Sequence, residues 1–447
     1  MHRSVQQKAC ITDPGQISCH NFIRHLATKA GILTMHDARI PTYPKHIASA
    51  VVTRIKRHVH TMLGHSSVVK GRWDEKDDTC GIFEKDEVKI GKLLGSGGFS
   101  DVYEVINFEL KEDPVAKYGN SQIAARRFYE ENAVKNGKCK YVAKHLRLKT
   151  MEDPTKFCLA AADLVVEAQF LNSLHHENIL KIRGWTTGGI NAYADGSHNG
   201  YFLLLDRLNE TLDDRIAFWN KRNLDDSLER SLERLGLNSG NTSELLSRTR
   251  IAHQIASALA YLHSKNIVFR DLKPNNVGFD EHGTVKIFDF GLSRELPRRC
   301  DNVNDVYTMS GAIGTVRYMA PEVALSRQYN QKVDTYSWSM LYWSCITLEK
   351  PYASMSRSVH RSNVCICGHR PALPGDLPDT IKHLLQNSWL HSINARFTMT
   401  EVCTLLKRIE KELETNLERT RSNSSLTMSR PLLYVRNSSN AAVSVAA

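Results

Sequence analysis

The sequence predicts an α+β molecule, a small sheet-rich lobe followed by a larger, mainly helical one. Three observations carry this expectation. Short β-branched and apolar runs (Val88 to Leu94, Val102 to Phe108, Tyr141 to Leu146, Tyr201 to Leu205) occupy the stretch from about residue 86 to 205. Helical stripes such as Ile251, Ile255, Leu259 and Leu262 take over after about residue 245. The composition, 41% hydrophobic and 24% charged over 447 residues, is that of a chain able to bury a large core.

Composition also excludes several classes. No run approaches the ~18 apolar residues of a membrane helix, and the N-terminus lacks the apolar stretch of a secretory signal. The 10 cysteines are scattered without regular spacing and read as reduced thiols of an intracellular, cytosolic protein. The net charge of +11 lies mostly at one end: residues 1–70 hold ten Lys/Arg against Asp13 and Asp37, which leaves +3 for the remainder. Charge therefore does not make the folded part a nucleic-acid binder.

Taken in order, residues 1–85 are basic and histidine-rich, and an extension that is largely disordered is expected there, with an organelle transit peptide as the sharper alternative. Gly95-Ser96-Gly97-Gly98-Phe99-Ser100-Asp101-Val102 sits between two strand-like runs, where glycines let backbone N–H groups approach a phosphate. A dinucleotide fingerprint would have to open a helix, and Val102-Tyr103-Glu104-Val105-Ile106 is strand composition. Residues 109–140 read as a charged, loop-like insertion. A second insertion, 221–242, carries tandem Ser-Leu-Glu-Arg repeats, whose Leu228, Leu232 and Leu235 suit one short helix ended by Gly236. Residues 413–447 are Ser/Asn/Arg-rich and expected to be disordered.

The helix around Ala162 to Leu174 carries a carboxylate on the wrong face, since Glu167 shares a stripe with Leu171 and Leu174. Such a charge costs several kcal/mol, in rough terms, unless a cation meets it, and the strand Tyr141 to Leu146 offers Lys144. A glutamate snorkelling at the helix edge is the plainer alternative. Further on, Ile267-Val268-Phe269-Arg270-Asp271-Leu272-Lys273-Pro274-Asn275-Asn276 follows a buried helix, and Val285 to Phe288 delivers Asp289-Phe290-Gly291. Two acids, an amide and a lysine on adjacent loops suit Mg²⁺ and a phosphate, because hard divalent ions take oxygen ligands and share them with substrate phosphates.

With that set in place, residues 86–412 resemble the eukaryotic protein kinases: a glycine-rich loop, a strand lysine, a helix glutamate, x-R-D-x-K-x-x-N, D-F-G and then Ala320-Pro321-Glu322 in order. The resemblance implies the bilobal kinase fold, with an antiparallel sheet and C-helix in the N-lobe and a mainly helical C-lobe. It matches Asp334 to the aspartate of the central large-lobe helix and Arg396 to the arginine that pairs with Glu322. Leu205 becomes the gatekeeper, with Asp206 to Leu208 as the hinge that meets adenine. Phe269 replaces the histidine of H-R-D, where it would pack on Phe290, and Ser100 and Ser339 replace expected glycines.

The same resemblance implies the roles. Gly95, Ser96, Gly97, Gly98, Phe99, Ser100 and Val102 would cover the nucleotide, Lys144 would hold the α/β-phosphates of ATP, and Glu167 would position Lys144. Asn276 and Asp289 would ligate Mg²⁺, Asp271 would accept the substrate proton, Lys273 would counter phosphoryl charge, and Thr315 would support Asp271 and Lys273. Val115-Ala116-Lys117 also resembles the nucleotide-lysine pattern, but Lys144 has the stronger strand around it and Lys117 follows a proline. Lysine at position 273 implies Ser/Thr specificity, and the sequence from Gly314 to Glu322 with Arg396 to Met399 leans toward the tyrosine-kinase-like group. Arg270 implies an activation-loop phosphate, placed by an upstream kinase on Ser310 or Thr308. ATP and protein substrates are the implied partners. Two rivals are a kinase fold kept only as a binding module and a metal site at Cys365, Cys367 and His369.

Overall fold

β-branched runs of four to nine residues cannot bury both faces alone, and here they join in one sheet that presents one face to a long helix. The computed structural model describes residues 42–69, 80–111, 115–233, 239–296, 306–307, 309 and 314–428. After helix α1 (Lys45–Leu63) come β1 (Gly81–Phe83), β2 (Val88–Ser96), β3 (Ser100–Phe108), helix α2 (Val115–Glu131), the small pair β4 (Val134–Lys135) and β5 (Lys138–Cys139), and β6 (Tyr141–Leu146). Helix α3 (Pro154–Ser173), β7 (Ile182–Thr186) and β8 (Phe202–Asp206) complete the small lobe. The six-stranded sheet runs β1-β7-β8-β6-β3-β2. The five strands β7-β8-β6-β3-β2 pair antiparallel, as expected, and β1 adds to the edge of β7 in parallel, which makes the sheet mixed.

The larger lobe holds β9 (Glu210–Thr211), α4 (Leu212–Glu233), α5 (Ser239–Ser264), β10 (Ile267–Val268), β11 (Val277–Phe279), β12 (Val285–Ile287), β13 (Arg294–Glu295), α6 (Lys332–Thr347), α7 (Asp379–Ser388) and α8 (Met399–Met428). Helix α6 is buried on every side from Lys332 to Cys345 and runs through the core, where the Trp338 indole N–H donates to the Ala252 carbonyl of α5 at 2.9 Å. Ser339, which stands where the resemblance expects glycine, is fully buried and donates its hydroxyl to the Tyr336 carbonyl at 2.7 Å. That bond satisfies the one polar group the serine brings into the core.

Four expectations about the segments outside the strands need correction. The N-terminal extension is ordered where it is described beyond residue 42: α1 buries Ile47, Val51, Val52, Ile55, Val59 and Leu63 along one stripe, so a basic composition concealed an amphipathic helix. The stretch 109–140 is not loop-like, because α2 and the β4–β5 pair fill it. Its docking is electrostatic as well as apolar: buried Glu87 accepts from Arg126 of α2 at 2.5 Å and from the Lys111 N–H at 3.0 Å. The C-terminal stretch from 413 continues α8 as far as Met428, with Leu413 buried. In the second insertion, α4 begins at Leu212, well before the short helix expected around Leu228, and Gly236 lies outside the described residues.

Candidate active site

Strand β6 and helix α3 bring the two sequence-selected charges together. Asp153 caps α3 by accepting from the Thr155 and Lys156 N–H groups at 2.9 and 3.2 Å, with Pro154 at the first helical position. That fixes the helix so that Glu167, 2% exposed, accepts from the Lys144 ammonium at 2.6 Å. The ammonium also donates to Asp289 at 3.1 Å. Burial opposes the charge on Lys144, but Asp289 and Glu167 outweigh it and hold the ammonium above its ordinary range. Two carboxylates thus share one cation. Lys144 holds Asp289 below the usual carboxylate range, whereas burial pushes Glu167 up to about 7 against the pull of Lys144. The Asp289 side chain, 44% exposed, is the carboxylate left facing the cleft. Its φ of 71° is an uncommon conformation for a residue with a Cβ. Lys117, the alternative lysine, lies on α2 and in no strand.

The second half of the site is the loop from Phe269 to Asn276. Buried Asp334 of α6 anchors it, accepting from the Phe269 and Arg270 N–H groups at 2.8 and 2.9 Å and facing His263 Nε2 at 3.0 Å. Arg270 has φ 71° and donates to the Leu292 carbonyl at 2.6 Å and to the Tyr329 hydroxyl at 3.1 Å. Asp271 is then held from several sides. Lys273 Nζ donates to its Oδ2 at 2.6 Å and Asn276 Nδ2 at 3.0 Å, while the Thr315 N–H and hydroxyl meet Oδ1 at 3.1 and 3.3 Å. Gly314 makes that approach possible: at φ 101°, an added Cβ would lie 2.8 Å from the Arg270 carbonyl oxygen. Phe269 packs edge-on against Phe290 at 5.0 Å, as the histidine replacement required. Further away, Arg396 forks onto Glu322 at 2.6 and 2.8 Å.

Between the two halves, β2 and β3 form a hairpin whose tip holds the glycines, which excludes a dinucleotide turn opening a helix. Gly97 N–H donates to the Ser100 carbonyl at 2.8 Å, and Val102 lies opposite Lys144 in the sheet register. An added Cβ at Gly95 or Gly98 meets nothing within 4 Å, so packing within the protein does not require glycine there, and Phe99 is 50% exposed. At the other edge of the cleft Leu205 is buried, and the Asp206 N–H is spent on the Lys181 carbonyl at 3.2 Å. Among the described residues, the Leu208 N–H forms no backbone hydrogen bond.

Sequence reasoning missed several residues. Arg147 donates to the Gly97 carbonyl at 2.9 Å and pairs with Asp101 at 3.3 Å, and Asp101 also accepts from Ser96, which steadies the glycine hairpin. Arg183 forks onto Asp206 at 2.7 and 2.8 Å at the end of β8. Asp163, one turn before Glu167 on α3, is pushed up to about 6 by burial, with Arg294 opposing. The spacing of Asp163 four residues before Glu167 was the available signal. Thr308 and Ser310 lie outside the described residues. Cys365 is buried and Cys367 exposed, and among the described residues no group of three or more His, Cys, Asp or Glu side chains is placed to hold a metal. No described helix is long and apolar enough to cross a membrane.

Comparison with known proteins agrees with this geometry. The dual specificity protein kinase shkA of Dictyostelium discoideum is 37% identical over 36% of this chain and 30% of its own length. The serine/threonine-protein kinase STY46 of Arabidopsis thaliana is 32% identical over 40% of this chain and 30% of its own. A probable serine/threonine-protein kinase of Dictyostelium discoideum is 31% identical over 39% of this chain and 12% of its own. The chain thus spans less than a third of the length of these relatives. Residues 131–405 match the protein kinase domain, a stretch that starts at the end of α2 and leaves the glycine hairpin upstream. That match covers more than half of the sequence, and with the paired Lys144 and Glu167 and the anchored Asp271 it identifies the chain as a member of the protein kinase family.

Proposed function

We propose that the protein transfers the γ-phosphoryl group of ATP, with Mg²⁺, to serine or threonine hydroxyls of protein substrates. The observation that carries this reading is the bridging of Glu167 and Asp289 by one ammonium, Lys144, across the cleft from an Asp271 held in place by Lys273, Asn276 and Thr315. In this reading the Lys144 ammonium meets the α/β-phosphates and Glu167 fixes its position. The glycine hairpin lies over the phosphates, which the open space at Gly95 and Gly98 permits. Adenine meets the backbone from Asp206 to Leu208 beside Leu205.

The donor set suits a hard divalent cation. Asp289 keeps its charge beside Lys144, and Asn276 spends its amide N–H groups on Asp271, at 2.9 and 3.0 Å, which leaves its side-chain oxygen for the ion. Magnesium would neutralise phosphate charge there. Asp271 orients the incoming hydroxyl and takes its proton, and Lys273 stands beside it to counter the charge of the transferred group. Serine/threonine specificity is supported by Lys273 and by the names of the relatives, one of which is called dual specificity.

The test is phosphate transfer from labelled ATP to a generic basic protein, followed by phosphoamino-acid analysis. Wild type should yield phosphoserine and phosphothreonine, while Asp271→Asn and Asp289→Ala lose transfer yet melt like wild type. Near wild-type turnover by Asp289→Ala with Mg²⁺ would refute the metal assignment, and a wild type that binds ATP without transfer would make the fold a binding module.

A further inference from the structure

We propose that residues 43–69 are a built-in positioning element for the active site, gripping α3 from outside and tying it to the segment that follows Asp289. This inference rests on the reading of Lys144 and Glu167 as the nucleotide-holding pair.

The middle of helix α3 has no face for water, although Lys156 and Leu159 nearer its start are exposed. Leu164, Val165, Val166, Glu167 and Ala168 are consecutive and all buried, and steps of about 100° per residue carry them round the whole circumference. The sheet side accounts for the Glu167 stripe. Helix α1 covers the outer side with the stripe from Ile47 to Leu63, in the same core cluster as Phe157, Ala161 and Leu164. Its start is pinned beside the first turn of α3. Tyr43 donates its hydroxyl to the Met151 carbonyl at 2.8 Å, stacks edge-on against Phe157 at 5.5 Å, and donates its N–H to the Gly196 carbonyl at 2.9 Å. Gly196 is at φ 79°, and an added Cβ would lie 2.2 Å from the Tyr43 carbonyl oxygen, so the seat is built for this contact.

The other end grips the catalytic segment. Glu295 on β13 accepts the Ser67 N–H at 2.9 and 3.0 Å, the Val68 N–H at 3.3 Å, and the hydroxyls of Ser66 and Ser67. Arg294 beside it donates to Met62 of α1 at 2.9 Å and to the Gly291 and Ser293 carbonyls at 3.1 and 2.6 Å. One short stretch of chain therefore touches both the helix that carries Glu167 and the strand that follows Asp289. Those two carboxylates must converge on one ammonium, so the stretch sets their separation.

The experiment uses the full chain with Val51→Asp and Ile55→Asp combined, read by amide hydrogen exchange of residues 160–171, by affinity for a fluorescent ATP analogue, and by turnover. Expected are faster exchange in α3, weaker nucleotide binding, and turnover lower by ~10- to 100-fold, the scale on which misplaced catalytic groups act. A synthetic peptide of residues 42–69 should restore all three saturably. Glu295→Ala, which removes the carboxylate that holds residues 66–68, should move exchange and affinity in the same direction and decides the matter should the double variant not fold. Exchange and nucleotide affinity unchanged in Glu295→Ala, or unrestored by peptide in a folded double variant, would overturn the proposal. A wild type without transfer activity would refute the kinase reading alone, because exchange and nucleotide affinity still report on the positioning element.

Discussion

Asp334→Asn probes the loop from Phe269 to Asn276 most directly, because one buried carboxylate holds the backbone on which Asp271 stands. Its Oδ2 accepts the Phe269 N–H at 2.8 Å and faces His263, while Oδ1 accepts the Arg270 N–H at 2.9 Å. Asparagine has the same shape but a single oxygen. With that oxygen kept toward Phe269, its amide N–H₂ meets the Arg270 N–H, donor against donor. One charge-assisted bond is lost, worth about 1.5–3 kcal/mol, and stranding a buried N–H adds about 1–3 kcal/mol. The expected loss is about 3–5 kcal/mol in urea unfolding. The same bond also holds Arg270 at φ 71°, a conformation that costs about 1–2 kcal/mol per residue with a Cβ. Once freed, Arg270 relaxes and carries Asp271 away from Lys273, Asn276 and Thr315, so turnover at saturating ATP should fall by about 100-fold. A variant within about 1 kcal/mol of wild type that turns over normally would refute this account of the loop.

Substitution by methionine separates the two lysine assignments: Lys144→Met should lose ATP affinity and turnover and Lys117→Met neither, as measured by nucleotide titration, and a loss confined to Lys117→Met reverses the assignment. Asp163 gives a pH signature. Burial raises its carboxyl from 3.8 to about 6, so the folded state binds the extra proton and stability falls as pH rises through that window. Asp163→Asn should remove a pH-dependent loss on the order of 2 kcal/mol between pH 4 and 7, read by denaturation at several pH values, and parallel pH profiles for the two proteins would contradict it. Arg126→Met should destabilise the small lobe by about 3 kcal/mol, since it strands the buried carboxylate of Glu87. Thermal unfolding with limited proteolysis of residues 109–140 checks this, and an unchanged melting temperature and cleavage pattern would show that the pair does not dock the insertion.

The candidate-site residues drew notice in the sequence because each is a chemical exception to its surroundings. Glu167 stood out as a charge on an apolar stripe, and the structure supplies the cation that stripe demanded, 23 residues earlier in the chain. Strand β6 was legible to the residue, Tyr141 to Leu146, because it is buried on both faces and uninterrupted. Arg147 and Arg183 were not legible, since an arginine beside a strand end looks like any solvated charge until the fold brings Asp101 or Asp206 to it. Ser339 looked anomalous in sequence and is ordinary in structure, because a helix carbonyl one turn back accepts its hydroxyl.

The N-terminal helix was hidden for a different reason. Composition averages over a segment, and the arginines, lysines and histidines between Lys45 and Leu63 outvote the stripe of Ile47, Val51, Ile55, Val59 and Leu63 that periodicity would have picked out. A second sign lay more than a hundred residues away. The segment Leu164 to Leu171 has too few polar residues to give a surface helix a wet face, and a helical stretch apolar on nearly every side must be enclosed. The strands of the small lobe can cover only one side of it. The other side therefore required a covering helix from elsewhere in the chain, and α1 is the amphipathic segment that meets that requirement. The dependence is mutual: α3 gives the stripe of α1 somewhere to be buried, and α1 encloses the stretch of α3 on either side of Glu167.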